Sequence, residues 1–246
     1  MEGGCTPDCS GICSGSDGCE GSCPDNCTGG DVCINSTCQA PVWACGDDLT
    51  YQGYDYATVD IGGQCWFAEN LRYDNGCSNN SFQSWTDVGW CGWYNNDQAT
   101  YGDSGLLYQW SAAMNGSTNE GAQGLCPTGW HVPFDASSIS GDWYDLESYL
   151  GSEPGSKLKA SALDSPSWNG NNISEFTALP SGLRYGNGSF AGITNHAFFW
   201  SSSEYDSDYI NHRLLHSDFT TLQHFDNLHK SASASIRCLN NNLNID

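Results

Sequence analysis

Tyr54–Asn70 reads YDYATVDIGGQCWFAEN, and its pattern decides which fold classes are open to this chain. From Tyr56 to Ile61 the residues alternate as a strand with one buried face requires. Gly62 and Gly63 supply two turn residues and QCWFAEN returns, so the segment predicts a β-hairpin. Similar short aromatic and β-branched stretches, split by Gly, Asn, Asp and Ser, recur from Ala44 onward. Helical signals are few. DSGLLYQWSAAMN (Asp103–Asn115) offers an Asp cap and Leu106, Leu107, Trp110 and Ala113 at helical spacing. SGDWYDLESYLG (Ser140–Gly151) offers Trp143, Leu146, Tyr149 and Leu150 before a glycine stop. Two helices with short antiparallel strands and long loops make an α+β domain over residues 45–246. Cysteines 45, 65, 77, 91, 126 and 238 can staple those loops with three disulfides.

Residues 1–44 read as a separate unit. Eight cysteines stand among Gly, Ser, Asp, Asn and Thr with almost nothing apolar to bury, so only cross-links can give the segment a shape. Their connectivity is open, and a spacer or stalk is the expected role.

Acids outnumber bases 29 to 7, a formal charge of −22. That balance, without Lys/Arg clusters, argues against nucleic acid and anionic membranes as partners. No apolar run is long enough to span a bilayer, so no direct membrane insertion is expected. Fourteen cysteines point to an oxidising compartment, outside the cell or on its surface. Zinc is the competing reading, but no Cys-x-x-Cys pair occurs. Six Asn-x-Ser/Thr sequons permit glycosylation there. The opening MEGGCTPDCS has neither the basic start nor the apolar stretch of a signal peptide, which reads as a mature or trimmed form.

The compositional break lies at Tyr205–His229, YDSDYINHRLLHSDFTTLQHFDNLH. It holds four of the chain's six histidines and four aspartates, but no Gly, Pro, Lys, Glu or Trp. Tyr, Phe and His give contact area at low entropic cost, and Asp, Asn and Ser give adaptable hydrogen bonds, the division of labour of a binding surface. The alternative is that Leu214, Leu215, Leu222 and Phe225 are core and the rest a solvated surface.

The blocks YATVDIGGQCWFAENLR (Tyr56–Arg72), YGDSGLLYQWSAAM (Tyr101–Met114), LCPTGWHVP (Leu125–Pro133), FTALPSGLR (Phe176–Arg184), FFWSSSE (Phe198–Glu204) and SIRC (Ser235–Cys238) resemble the Fibrobacter succinogenes major paralogous domain. That resemblance implies a C-type lectin-like fold, related also to the formylglycine-generating enzyme fold. The last third is also similar to variable proteins of diversity-generating retroelements. There FWSSSE, a patterned run and a hydrophobic-Arg-Cys strand frame a segment, here about 204–230, rewritten at the adenines of Asn codons. The resemblance implies a permissive set made of Asp206, Asp208, Tyr209, His212, Leu214, His216, Asp218, Phe219, His224, Phe225, Asp226, Leu228 and His229, which would form one exposed ligand-binding face. Arg213, Leu215, Ser217, Gln223 and Lys230 would be fixed between them, with Trp200, Arg237 and Cys238 in the frame. The implied partner is a surface protein or glycan of another cell or particle.

Other chemistries are weaker. His212 and His216 are four apart and would share a helix face with room for a metal, but the segment has neither caps nor a helical period. YNNDQ (Tyr94–Gln98) has oxygen ligands suited to calcium yet lies in a family block, where a structural role is expected. His131 is the one catalytic suspect, and a packed structural histidine is the plainer reading. The expectation is therefore a binding protein without catalytic residues, metal or cofactor. Its rivals are a structural or adhesive surface protein and, further off, a metal-dependent enzyme of the formylglycine-generating fold type.

Overall fold

A computed structural model describes residues 43–79, 89–137 and 139–241, together with the backbone of four short strands before residue 43. The chain divides into two units, Met1–Ala44 and Cys45–Asp246. In the first, β1 (Gly15–Ser16) pairs antiparallel with β2 (Ser22–Cys23), and β3 (Val32–Ile34) with β4 (Thr37–Gln39). The bridging of its eight cysteines lies outside the described residues.

The second unit opens with hairpin β5 (Leu49–Tyr51) to β6 (Tyr54–Tyr56), then β7 (Thr58–Ile61) to β8 (Gln64–Phe67). Ile61 faces Gln64 across Gly62 and Gly63, whose φ values of 68° and 84° are those a two-residue hairpin turn needs. The predicted hairpin therefore forms where its glycines put it. All four residues of β8 are buried, because Trp66 packs 4.8 Å from Trp143 and Phe67 4.7 Å from Trp130.

β9 (Cys91–Gly92) and β10 (Leu107–Gln109) follow, with β11 (Trp130–His131) after a long loop. Then come β12 (Ser181–Arg184), β13 (Phe190–Ile193), β14 (His196–Glu204), β15 (Tyr209–His216), β16 (Gln223–His229), β17 (Ser233–Ala234) and β18 (Leu239–Asn240). One sheet runs β16-β15-β14-β12-β17-β10-β9, with β13 beside β12; a four-stranded sheet runs β11-β18-β8-β7. Its helices are α1 (Gln98–Tyr101), α2 (Trp110–Ala113), α3 (Asp142–Leu150) and α4 (Pro154–Leu158). The main core gathers Trp66, Phe199 and Leu215 from both sheets, Trp143 from α3 and Phe176 from the loop before β12.

The helix predicted over Asp103–Asn115 forms only in its second half. Gly105, at φ 75°, stops a short turn, and Leu107–Gln109 becomes a strand between β9 and β17. Tertiary pairing on both edges outweighs the local helical spacing there. The second predicted helix is α3, halted at Gly151 (φ 65°), with Trp143, Leu146 and Leu150 inward. Tyr149, placed on the same apolar stripe by the sequence reading, is instead 67% exposed. Disulfides join Cys45 to Cys65, Cys77 to Cys91 and Cys126 to Cys238, so all six cysteines of this unit are paired. Among the described residues no helix is long and apolar enough to cross a membrane.

Candidate functional site

The antiparallel meander β14–β15–β16 carries the Tyr205–His229 segment at one edge of the larger sheet. Alternation along β15 sorts its side chains into two sets. Arg213 and Leu215 face the core, both fully buried. Arg213 grips Asp135 bidentately, Nε to Oδ2 at 2.6 Å and Nη2 to Oδ1 at 2.8 Å, and donates from Nη1 to Glu147 on α3 at 2.5 Å. Burial works against the guanidinium, and the two carboxylates overcome it and raise its pKa. Burial raises the Asp135 carboxyl above its ordinary value, against the pull of Arg213. This pair bolts β15 to the frame.

Arg237 is held otherwise. Its guanidinium, 1% exposed, donates to Asn70 Oδ1 at 2.7 Å and to the carbonyls of Phe67, Phe176 and Thr177. With no carboxylate bonded to it, burial lowers its pKa to about 9. Trp200 is also buried and donates from Nε1 to Tyr108 O at 2.7 Å.

The opposite face of β15 carries the ring-rich set. Register places His216 opposite His196, Leu214 opposite Phe198, and His212 opposite Phe225. The rings form a row: His196–Phe198 at 5.7 Å, Phe198–His212 at 6.0 Å and His212–Phe225 at 5.6 Å, all stacked, with His216 edge-on to His196 at 4.2 Å. His216 also meets Phe219 at 5.1 Å. At the other end of the strands Tyr209 meets His229 at 5.4 Å, beside the exposed Asp206 and Asp208. Asp218, Phe219 and Asp226 are exposed as well, while Leu214, His216, His224, Phe225 and His229 are half-buried.

The thirteen positions do not all share one exposed face. His212 is 3% exposed and Leu228 8%. His212 is the floor of the ring row between Phe198 and Phe225. Burial, with His224 pushing the same way, lowers its pKa to about 4 against the backbone of Ile210 and the Asp226 charge. Leu228 packs opposite the buried Ile210. His224 pairs with Arg213 and so turns to the core side, its Nε2 lying 3.7 Å from Asp135 Oδ2. A register irregularity between Ile210 and His212 separates these ends, which sequence alternation alone does not reveal.

The frame holds the rest of the segment by its backbone. Buried Lys159, its pKa lowered by burial, donates at 3.0 Å to the carbonyls of both His216 and Phe219. Asn169 Nδ2 donates to Ser217 O, and the Gly155 and Ser156 amides of α4 donate to Thr220 O. A Cβ at Gly155 would overlap the Thr221 carbonyl, so glycine is needed for that approach. At the other turn Asp206 Oδ1 accepts from the Asp208 and Tyr209 amides, and Lys230 N donates to Asp208 O. Of the fixed positions, Lys230 pairs with Glu204 at 3.0 Å, the Ser217 amide donates to Asn195 O, and Gln223 is half-buried. Sequence reading missed Lys159, Asn169 and His196. Lys159, one of only seven basic residues in an acidic chain, was the one visible signal among them.

The remaining candidates occupy structural places. His131 is clamped between Asn241 Oδ1 at 2.6 Å and Asp142 Oδ2 at 2.9 Å; burial opposes its proton, but Asp142 prevails and raises its pKa. Asp97 of YNNDQ caps α1 by accepting from Thr100 N. His212 and His216 lie in one strand, about 13 Å apart by the strand rise of about 3.3 Å per residue, too far to share an ion. The one metal-type cluster among the described residues, Asp74 with Cys77 and Cys91, has both sulfurs in a disulfide.

Among the described residues a mixed fold of short strands, few helices and three disulfides thus frames the ring-rich β14–β15–β16 edge. The chain belongs to the Fibrobacter succinogenes major domain family, whose sequence profile matches residues 59–240. No curated protein and no solved structure matches it.

Proposed function

We propose that this chain is an extracellular or surface-displayed recognition protein, a C-type lectin-like domain on a disulfide-rich spacer, working by equilibrium binding through β14–β15–β16. We read it further as a variable protein diversified by a retroelement. The observation that carries the reading is how the 204–230 segment is held. Lys159, Asn169, Gly155 and Ser156 all bond to its backbone carbonyls, which any residue supplies, and the ion pair that anchors β15 uses Arg213, a position of the fixed set. Side chains at Asp208, Asp218, Phe219 and Asp226 therefore carry little of the fold. Their exposure and their residue types suit contact with a partner.

The neighbouring DNA tests the diversification. A near-copy of the codons for residues 200–240, differing only where the copy has adenine and lying beside a reverse transcriptase gene, is the expected finding. Absence of such a copy from the complete genome overturns it and leaves a recognition domain with a fixed face.

A further inference from the structure

We infer that the ring-rich surface of β14–β15–β16 takes a protein whose contact patch has an apolar centre and a Lys/Arg margin, and not a glycan. This rests on the recognition reading of the same surface. The centre is a partly buried row of rings, Phe198 and Phe225 among His196 and His212. Neighbouring rings along it are 5.6–6.0 Å apart; His212 is 3% exposed and His196, Phe198 and Phe225 are half-buried, so little open aromatic face remains for a sugar to lie on. What such a row offers is a partly covered strip of rings flanked by Leu214, suited to apolar side chains.

The margin is acidic. Asp206 and Asp208 stand at one end, Asp218 at the other and Asp226 on the edge strand, all exposed. The nearby cations are already engaged: Arg213 is buried on Asp135 and Glu147, Lys159 on two carbonyls, and Lys230 on Glu204. Among the described residues no Lys or Arg forms an ion pair with those carboxylates, and Lys159 feels only the charge of Asp218 while bonded to its two carbonyls. Tyr205, Tyr209 and Phe219 add three of the eight exposed large hydrophobics among the described residues, concentrating contact area between the charges. From Tyr209 to His216 the strand spans about 23 Å at about 3.3 Å per residue, enough for a standard protein patch of roughly 800 Å² per partner. Ring-rich centre, charged rim and carboxylates unpaired with Lys or Arg together call for a basic-rimmed protein surface.

The test uses the intact chain and a phage-displayed library of random dodecapeptides as probe. Selected peptides are expected to combine Phe, Trp or Leu with Lys or Arg. Their affinity, read by fluorescence anisotropy, should fall about tenfold or more in about 0.3 M salt and in the variant Asp206→Asn, Asp208→Asn, Asp218→Asn, Asp226→Asn. Peptides without basic residues, or affinity unmoved by salt and by that variant yet lost on Phe225→Ala, overturn the basic margin and leave the recognition face standing. Affinity unmoved by either set of changes overturns both. Failure to enrich any peptide, with binding to a panel of neutral hexasaccharides instead, overturns the choice of protein over glycan.

Discussion

His212 sits neutral between two phenyl rings, and the cost of that position shows in its pH dependence. Its folded pKa near 4 lies below the ordinary 6.5, so between those values the unfolded chain takes up a proton that the folded chain refuses. Stability from this residue is full above about pH 6.5 and drains as pH falls toward 4, by about 3 kcal/mol in all. His212→Phe keeps the ring stack and removes the titration. Urea unfolding at pH 7 and near pH 4.5 is expected to show a much smaller pH penalty in the variant than in the parent. Its neighbour Arg213 has the opposite character. Arg213→Met leaves Asp135 buried without its partner and is expected to cost about 3–5 kcal/mol, read by the same unfolding curves, with Asp135→Asn in the same chain restoring part of it. Arg213 was legible from the framing pattern of the segment. The burial of His212 was not, because its neighbours Phe198 and Phe225 come from two other strands.

The loop between β15 and β16 is positioned by Lys159 and α4. Lys159→Met removes two charge-assisted bonds, to His216 O and Phe219 O, at a site that already disfavours the ammonium. The expected result is faster amide hydrogen exchange across residues 216–221 with the α3 amides unchanged; uniform exchange changes would show that Lys159 supports the whole core. The hairpin β7–β8 and helix α3 were readable because their turn and stop are glycines with positive φ. The Asp103–Asn115 segment was misread because its helical spacing is also that of a strand buried on both sides, and only the β9 and β17 partners decide between them.

Across the whole unit, three disulfides and two buried arginines brace an acidic chain of long loops. The Cys126–Cys238 bridge closes a loop across 112 residues and ties the loop before β11 to the residue that leads into β18. Replacing both cysteines with alanine is expected to cost about 5 kcal/mol, the largest loss of the three bridges, in denaturant unfolding of the oxidised protein. The cysteine count announced such bridges, but their pairing needed three-dimensional proximity. The central claim is that the segment's exposed side chains are free of structural duty, and thermal melting of one variant tests it most directly. In that variant Asp208, Asp218, Phe219 and Asp226 are replaced together by other residues of the permissive set. The account predicts a midpoint lowered by less than about 5 °C, since exposed substitutions cost little each. A fall of about 15 °C or more would show that these side chains hold the fold, and would contradict it.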